Sequence, residues 1–240
     1  MSLKIVSINI EGGKHLERVQ AFVSQHQPEV ICLQEVFSQD IPWLENAFGM
    51  KSFFTANANV SEPVTYMPSR GQWGNALFSA LPITHKEEFF YAGLAEALPI
   101  LKQGNPNSGR RSVQIAEVEK DAKVYRFANT HLTWTPEGSV TEEQLKDARA
   151  LLKFLEQFPE IILVGDLNSP RGKTTFSLFA ERYTDNIPID VTSSLDPELH
   201  RAGALPFMVD GLFSTPGYQI LEVGVHTGVS DHRAILARIV

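Results

Sequence analysis

The chain has 240 residues, with 43% hydrophobic and 20% charged side chains. Lys+Arg 21 against Asp+Glu 28 gives a net charge of −7, so no global basic field draws the protein onto a long polyanion. The lone cysteine, Cys32, excludes an internal disulfide and any Cys-cluster metal site, no stretch approaches ~18 apolar residues, and Lys4 and Ser7 interrupt the start too early for a signal peptide. A cytoplasmic protein of one domain, residues 1–240, is expected, with no membrane-spanning segment and no obligate protein partner.

Taken in chain order, residues 3–10 form an almost wholly apolar run, expected as a strand covered on both faces. Leu16, Val19 and Val23 then share one helical face, which ends before Pro28. A second buried strand is expected over 30–36, where Cys32 is a packing thiol. Looser patterns over 76–80 and 112–119 precede another apolar strand at 124–132. Thr141-Glu142-Glu143-Gln144 reads as a capping box opening a helix with Leu145, Ala148, Leu152 and Leu155 on one stripe. The strand at 161–167, a short helix around 174–180, and strands at 208–214, 220–226 and 234–240 complete the chain.

A faint duplication runs through this order. Strand, helix, Pro28-Glu29 and strand in the first half are echoed by strand, helix, Pro159-Glu160 and strand in the second. If each helix crosses back over its sheet, the strands of each pair run parallel and their polar ends emerge on one edge. Ligands of α/β sheets sit outside such carboxyl ends. Four long polar connections, at 57–75, 91–111, 133–141 and 187–206, are expected as loops around the site and as the determinants of substrate choice.

Polar groups end the apolar strands: Asn9, Glu35, His131, Asp166 with Asn168, and Asp210, while Asp231-His232 precedes the last strand. A carboxylate near a core costs several kcal/mol unless a cation or donor compensates it, so four acids at strand edges point to a bound cation and an anionic substrate. Carboxylate and amide oxygens suit Mg²⁺ or Mn²⁺.

Seven segments carry a resemblance: Ser7-Ile8-Asn9-Ile10-Glu11-Gly12, Leu33-Gln34-Glu35, Gly74-Asn75-Ala76-Leu77-Phe78-Ser79, Asn129-Thr130-His131-Leu132, Gly165-Asp166-Leu167-Asn168, Val209-Asp210-Gly211-Leu212 and Ser230-Asp231-His232. In this order they resemble the endonuclease/exonuclease/phosphatase superfamily, which includes DNase I. The resemblance implies a four-layer α/β/β/α sandwich, two mixed and largely antiparallel sheets face to face with helices outside. It implies an Mg²⁺- or Mn²⁺-dependent phosphoesterase, with a phosphodiesterase or nuclease favoured over a phosphomonoesterase. Glu35 would be the main metal ligand, with Asn9 and Asp231 beside it and Glu11 second-rank or water-mediated. Asp166 would orient or deprotonate the attacking water, Asn168 would hold a phosphate oxygen, and His232, oriented by Asp210, would serve as acid/base. The Asp210 carboxylate is expected within hydrogen-bonding distance of the His232 ring, with His131 across the scissile phosphate. Arg110 and Arg111 would add positive charge there. Abasic endonucleases of the superfamily use a mid-chain tyrosine that has no counterpart here, which weakens a DNA-repair reading.

Other features are read blandly. His15, His26, His85, His200 and His226 are expected as surface or packing residues. Trp43, Trp73 and Trp134 are expected to pack, although Trp73 and Trp134 border site loops and could stack on a substrate base. Gly172-Lys173-Thr174 lacks the glycine a P-loop needs at 167 and has Pro170 in the would-be cradle, and no G-x-S-x-G elbow exists. The competing functional class is a binding or regulatory protein that kept the fold and lost catalysis.

Overall fold

The computed structural model describes residues 2–64, 67–93 and 97–240. Its elements are β1 (Leu3–Asn9), α1 (Leu16–His26), β2 (Val30–Phe37), α2 (Ile41–Phe48), β3 (Lys51–Val60), β4 (Gly71–Ser79), β5 (Ile83–Ala92), β6 (Arg111–Lys120), β7 (Lys123–His131), α3 (Glu142–Leu155), β8 (Ile162–Asp166), α4 (Thr174–Ala180), β9 (Thr184–Asp185), β10 (Asp210–Ser214), β11 (Ile220–His226) and β12 (Ala234–Ile239). Two six-stranded sheets form, in the orders β11-β12-β1-β2-β4-β3 and β5-β6-β7-β8-β10-β9. Each is mixed. β1 runs parallel to β2 and β7 parallel to β8, and every other pairing within them is antiparallel.

Period-two alternation explains the layers. Leu3, Ile5, Val30 and Cys32 point one way from the first sheet and meet Val118, Phe127, Ile162 and Val164 of the second. Val6, Ile8, Ile31 and Leu33, one residue on, pack instead beneath α1 and α2 with Val19, Phe22 and Leu44. Ile115, Ala128, Leu163 and Phe213 face α3 and α4 through Leu151, Leu155, Phe176 and Phe179. The result is the expected α/β sandwich of two face-to-face sheets with helices outside.

Four elements lay outside the expected set: α2, β3, β5 and the two-residue β9. β3 and β5 are edge strands, and the β5 pattern leaves Thr84, His85 and Lys86 exposed. An edge strand packed on one face carries fewer apolar residues, so its signal is weak. The expected connection at 57–75 is shorter, because β3 runs to Val60 and β4 starts at Gly71. Residues 65–66 of that connection and 94–96 of the one at 91–111 lie outside the described residues. The capping box also differs. Thr141 accepts from the Gln144 backbone N–H at 3.2 Å, but the Gln144 amide donates to the carbonyls of Thr133 at 2.8 Å and Asn168 at 3.0 Å. Gln144 therefore fastens two site loops to the start of α3 rather than closing the box.

Candidate active site

The two parallel pairs bring the polar strand ends to one edge. Asn9 lies opposite Gln34 across β1 and β2, His131 lies opposite Asp166 across β7 and β8, and Asp210 of β10 lies opposite Asp166 from the other side. The Asn9 amide joins the sheets, donating to Glu35 Oε1 and Asp166 Oδ2, each at 3.2 Å. Behind it, Gln34 Nε2 donates to Asn129 Oδ1 at 2.7 Å and Asn129 Nδ2 to Gln114 Oε1 at 2.9 Å. This buried amide relay fixes the relative height of the two sheets, since an unmade hydrogen bond there costs about 1–3 kcal/mol.

Backbone strain concentrates at the same edge. Glu35 sits at φ 59° where the β2–β4 register shifts, so a bulge turns its side chain toward the second sheet. Glu11 at φ 47° and Asn168 at φ 49° are also left-handed, and such conformations persist in non-glycine residues only when the surroundings impose them. Gly165, φ 133°, lets β8 press against β7: a Cβ there would lie 1.9 Å from the Thr130 carbonyl oxygen.

His232 Nδ1 is 2.8 Å from Asp210 Oδ2, and its Nε2 is 3.7 Å from Asp166 Oδ2. Burial pulls the His232 pKa down, but Asp210, Asp166 and Asp231 outweigh it and hold it well above the ordinary 6.5. His131 behaves oppositely. Burial, Arg111 and His232 push it well below 6.5, and its Nδ1 is buried without a partner. Its Nε2 lies 3.5 Å from Asp166 Oδ2, and its ring meets the edge of Trp73. Asp166 is raised by burial and partly restored by His232. Asn168 donates its backbone N–H to Asp166 at 2.7 Å and its side-chain amide to the Leu132 carbonyl at 2.9 Å.

Glu35 and Asp231 are less well compensated. Burial and then Asp231 push Glu35 up to about 7, and its Oε2 is buried without a hydrogen-bond partner. Asp231 is raised chiefly by burial, with Ser230 Oγ and the His232 N–H donating to it at 3.1 and 3.0 Å. Glu11 accepts from Lys14 and lies 3.1 Å from His15 Nε2, and ligating atoms of Glu11, His15 and Asp231 all fall within 4.8 Å of one another. A second such group joins Asp166, Asp210 and His232. An orphaned carboxylate oxygen among oxygen donors fits a hard dication. Glu35, Asp231, Asn9 and Glu11 are the residues that would hold it.

These groups line or back a cavity of about 790 Å³ whose remaining wall is largely apolar, including Leu101, Trp134, Leu195, Leu205 and Phe207. Nearly all expected site residues converge there; Asn9 and Asp210 stand directly behind its wall. Arg110 is the exception. Successive residues at a strand start point to opposite sides, so Arg111 enters the cavity while Arg110 stacks on Phe90, 4.0 Å from the ring centroid, and donates to the Ala56 carbonyl. Of the two arginines expected at the site, only Arg111 lines the cavity. His15 and His200, expected as packing or surface residues, stand at the site: His15 against Glu11, His200 in the cavity wall. Neither has neighbours in sequence that signal this, because loop folding alone places them.

A carboxylate–histidine cluster at the common edge of a two-sheet sandwich places the chain in the DNase I-like class of folds. The family model of the Endonuclease/Exonuclease/phosphatase family matches residues 6–232, and the chain belongs to that family, whose members are hydrolases acting on phosphoester bonds and are generally divalent-metal dependent. Among solved structures it is similar to an endonuclease/exonuclease/phosphatase family protein from Bacteroides thetaiotaomicron, with TM-score 0.76, 14% identity, and coverage of 100% of this chain and 95% of that one. A mannosyl-6-phosphatase from the same organism gives TM-score 0.72, 14% identity and 99% coverage of both chains. The human Nocturnin catalytic domain with bound sulfate gives TM-score 0.70, 17% identity, and coverage of 100% and 94%. At these identities the likeness concerns the fold. No match was found among curated protein sequences.

Proposed function

We propose that the protein is an Mg²⁺- or Mn²⁺-dependent phosphoesterase that hydrolyses a phosphodiester in preference to a phosphomonoester by attack of an activated water. The observation that carries this reading is the division of the edge into two chemistries: a His232 ring held by Asp210 beside Asp166, and a Glu35 with one unpartnered carboxylate oxygen near Asp231. A phosphodiester needs charge neutralisation, a water stripped of its proton and a proton for the leaving oxygen.

Asp166, raised toward neutrality by burial, orients and deprotonates the water. His232 Nε2–H donates to the phosphate and then to the leaving oxygen, while Asp210 on Nδ1 keeps the ring's orientation. The neutral His131 sits across the cavity as a further donor, Asn168 positions a phosphate oxygen, and Arg111 neutralises charge. Glu35, Asp231, Asn9 and Glu11 hold the metal, which when bound supplies Lewis-acid polarisation of the phosphate. The substrate is a phosphoester, either a nucleic acid or a small phosphorylated molecule, and the setting is cytoplasmic. Among the described residues no helix is long and apolar enough to cross a membrane.

Titrating Mg²⁺ and Mn²⁺ into wild type and Glu35→Gln by calorimetry, alongside hydrolysis of bis-p-nitrophenyl phosphate, p-nitrophenyl phosphate, DNA, RNA and inositol phosphates, tests this. Binding lost in Glu35→Gln together with diesterase activity supports it. Wild type that binds neither metal and cleaves no phosphoester is instead a binding protein on this fold.

A further inference from the structure

The cavity joins an anion-binding end to an aromatic wall, and one side chain ties the two together. Arg111 is 2% exposed, yet its Nε and Nη1 have no hydrogen-bond partner. Its Nη2 donates to Asn107 Oδ1 at 3.0 Å and to the Pro106 carbonyl at 3.1 Å. The same Asn107 oxygen accepts the Trp134 backbone N–H at 3.0 Å, and Asn107 Nδ2 donates to the Trp134 carbonyl at 2.9 Å. One amide therefore pins the backbone of Trp134 on both sides and fixes it relative to the guanidinium. Trp134 itself is 37% exposed, although an indole in a loop normally buries its ring.

A buried guanidinium with two unpartnered nitrogens carries an unmet cost for each, which a bound anion would offset. An indole held open beside that anion offers a flat face, whose best occupant is another ring, since stacking adds attraction beyond area burial. Leu101 lines the same cavity with Trp134 and Pro106, while Lys102 brings a cation to it. The roughly 300–1,000 Å³ range of small-molecule sites includes this cavity of about 790 Å³.

We infer that the substrate is a small phosphoester carrying a planar aromatic or heteroaromatic group, which stacks on Trp134 while its phosphate meets Arg111, with Asn107 setting the spacing between them. The inference rests on the phosphoesterase reading and narrows its substrate class. Asn107 is a positioning residue, since it acts through Trp134 and Arg111.

Calorimetry with Mn²⁺ present, using phenylphosphonate, cyclohexylphosphonate and methylphosphonate as non-hydrolysable probes, tests it. Phenylphosphonate should bind at least ~5-fold tighter than cyclohexylphosphonate, the lower bound of a stacking contact. That ratio should fall to about one in Trp134→Ala, persist in Trp134→Phe, and shrink in Asn107→Ala at unchanged thermal midpoint. In kinetics with aryl and alkyl phosphodiesters, Trp134→Ala should raise KM for the aryl series more than it lowers kcat. If the three phosphonates bind wild type in order of apolar area alone, or Trp134→Ala keeps the phenyl preference, the ring inference is overturned while the phosphoesterase reading stands. If wild type binds none of them and cleaves no phosphoester, both fail together.

Discussion

The two halves of the site edge handle buried charge in opposite ways. On the Asp210–His232 side every charge has a partner: a carboxylate 2.8 Å from a ring nitrogen, and a second carboxylate beyond the other nitrogen. On the Glu35–Asp231 side two acids face each other, and one oxygen of Glu35 has no partner. A compensated pair is poised to pass a proton, whereas an uncompensated pair is poised to take up a cation. On the proposed reading the sandwich divides proton chemistry from charge neutralisation within a few ångströms, with the Asn9 amide bridging the two sides at Glu35 and Asp166.

The comparison is broken most strongly at His232. His232→Ala should lower kcat on the best phosphodiester by ~10²–10⁴-fold, the range of a general acid/base. Asp210→Asn should produce a large share of that loss, and the double variant should fall short of the product, because both changes disable one unit. Near-full activity in Asp210→Asn, measured by steady-state kinetics, would reduce Asp210 to a turn residue.

Gly165→Ala perturbs only the second-sheet half. The added Cβ would meet the Thr130 carbonyl at 1.9 Å and force β8 away from β7, separating Asp166 from His131. Urea unfolding should show about 2–4 kcal/mol of destabilisation, and an unchanged midpoint would mean the strands tolerate a wider spacing.

On the cation side, millimolar Mn²⁺ should raise the thermal midpoint of wild type by several degrees, as any ligand of the folded state does. Glu35→Gln should show little response to Mn²⁺ and melt higher than wild type in chelator, since it removes a buried carboxylate with one unpartnered oxygen that lies near Asp231. Equal Mn²⁺ shifts in both proteins would exclude Glu35 as a ligand.

The smallest effect concerns the loop that carries the far wall of the cavity. Asp196 accepts backbone N–H groups of Glu198, Leu199 and Gly228 at 2.9, 2.9 and 2.7 Å. Burial would raise its pKa, but these donors hold it below the ordinary 3.8. Its contribution is therefore present above that value and lost as the pH falls through the lower folded pKa. Asp196→Asn should cost about 1 kcal/mol at pH 7 in chemical denaturation, and a difference that grew on acidification would contradict the sign.

Much of this arrangement was legible in the sequence where a polar residue closes an apolar run. Glu35, His131 and Asp166 stand out because β2, β8 and the C-terminal half of β7 are buried on both faces and their ends cannot be polar without cause. The parallel pairing of β1 with β2 and β7 with β8 follows from the crossover helices between them. What stayed hidden depends on contacts between loops. Asn107 precedes β6 in a polar stretch with no periodicity, and only the fold brings it to Trp134. Arg110 and Arg111 look equivalent as neighbours, and only the start of β6 decides which one faces the cavity. Glu35 is a case between: its residue type was readable, but the bulge that aims it depends on the β4 register.

The order of strands in the first sheet has a consequence for how the site assembles. β1 lies between β2 and β12, with Leu3 paired to Ile239, a separation in sequence of most of the chain. That long-range pairing, together with the bridge from Leu195 to His232, brings Asp231 and His232 toward Glu35, and Asn9 clasps Asp166 only after both sheets have docked. Contacts of such long sequence separation form slowly, since loop closure precedes their reward. A nascent chain emerging from the ribosome can hold every strand of the second sheet and still have no complete site. The proposed site thus stays incomplete until β12 pairs with β1, and a chain truncated before β12 should lack both that pairing and the proposed phosphoesterase activity.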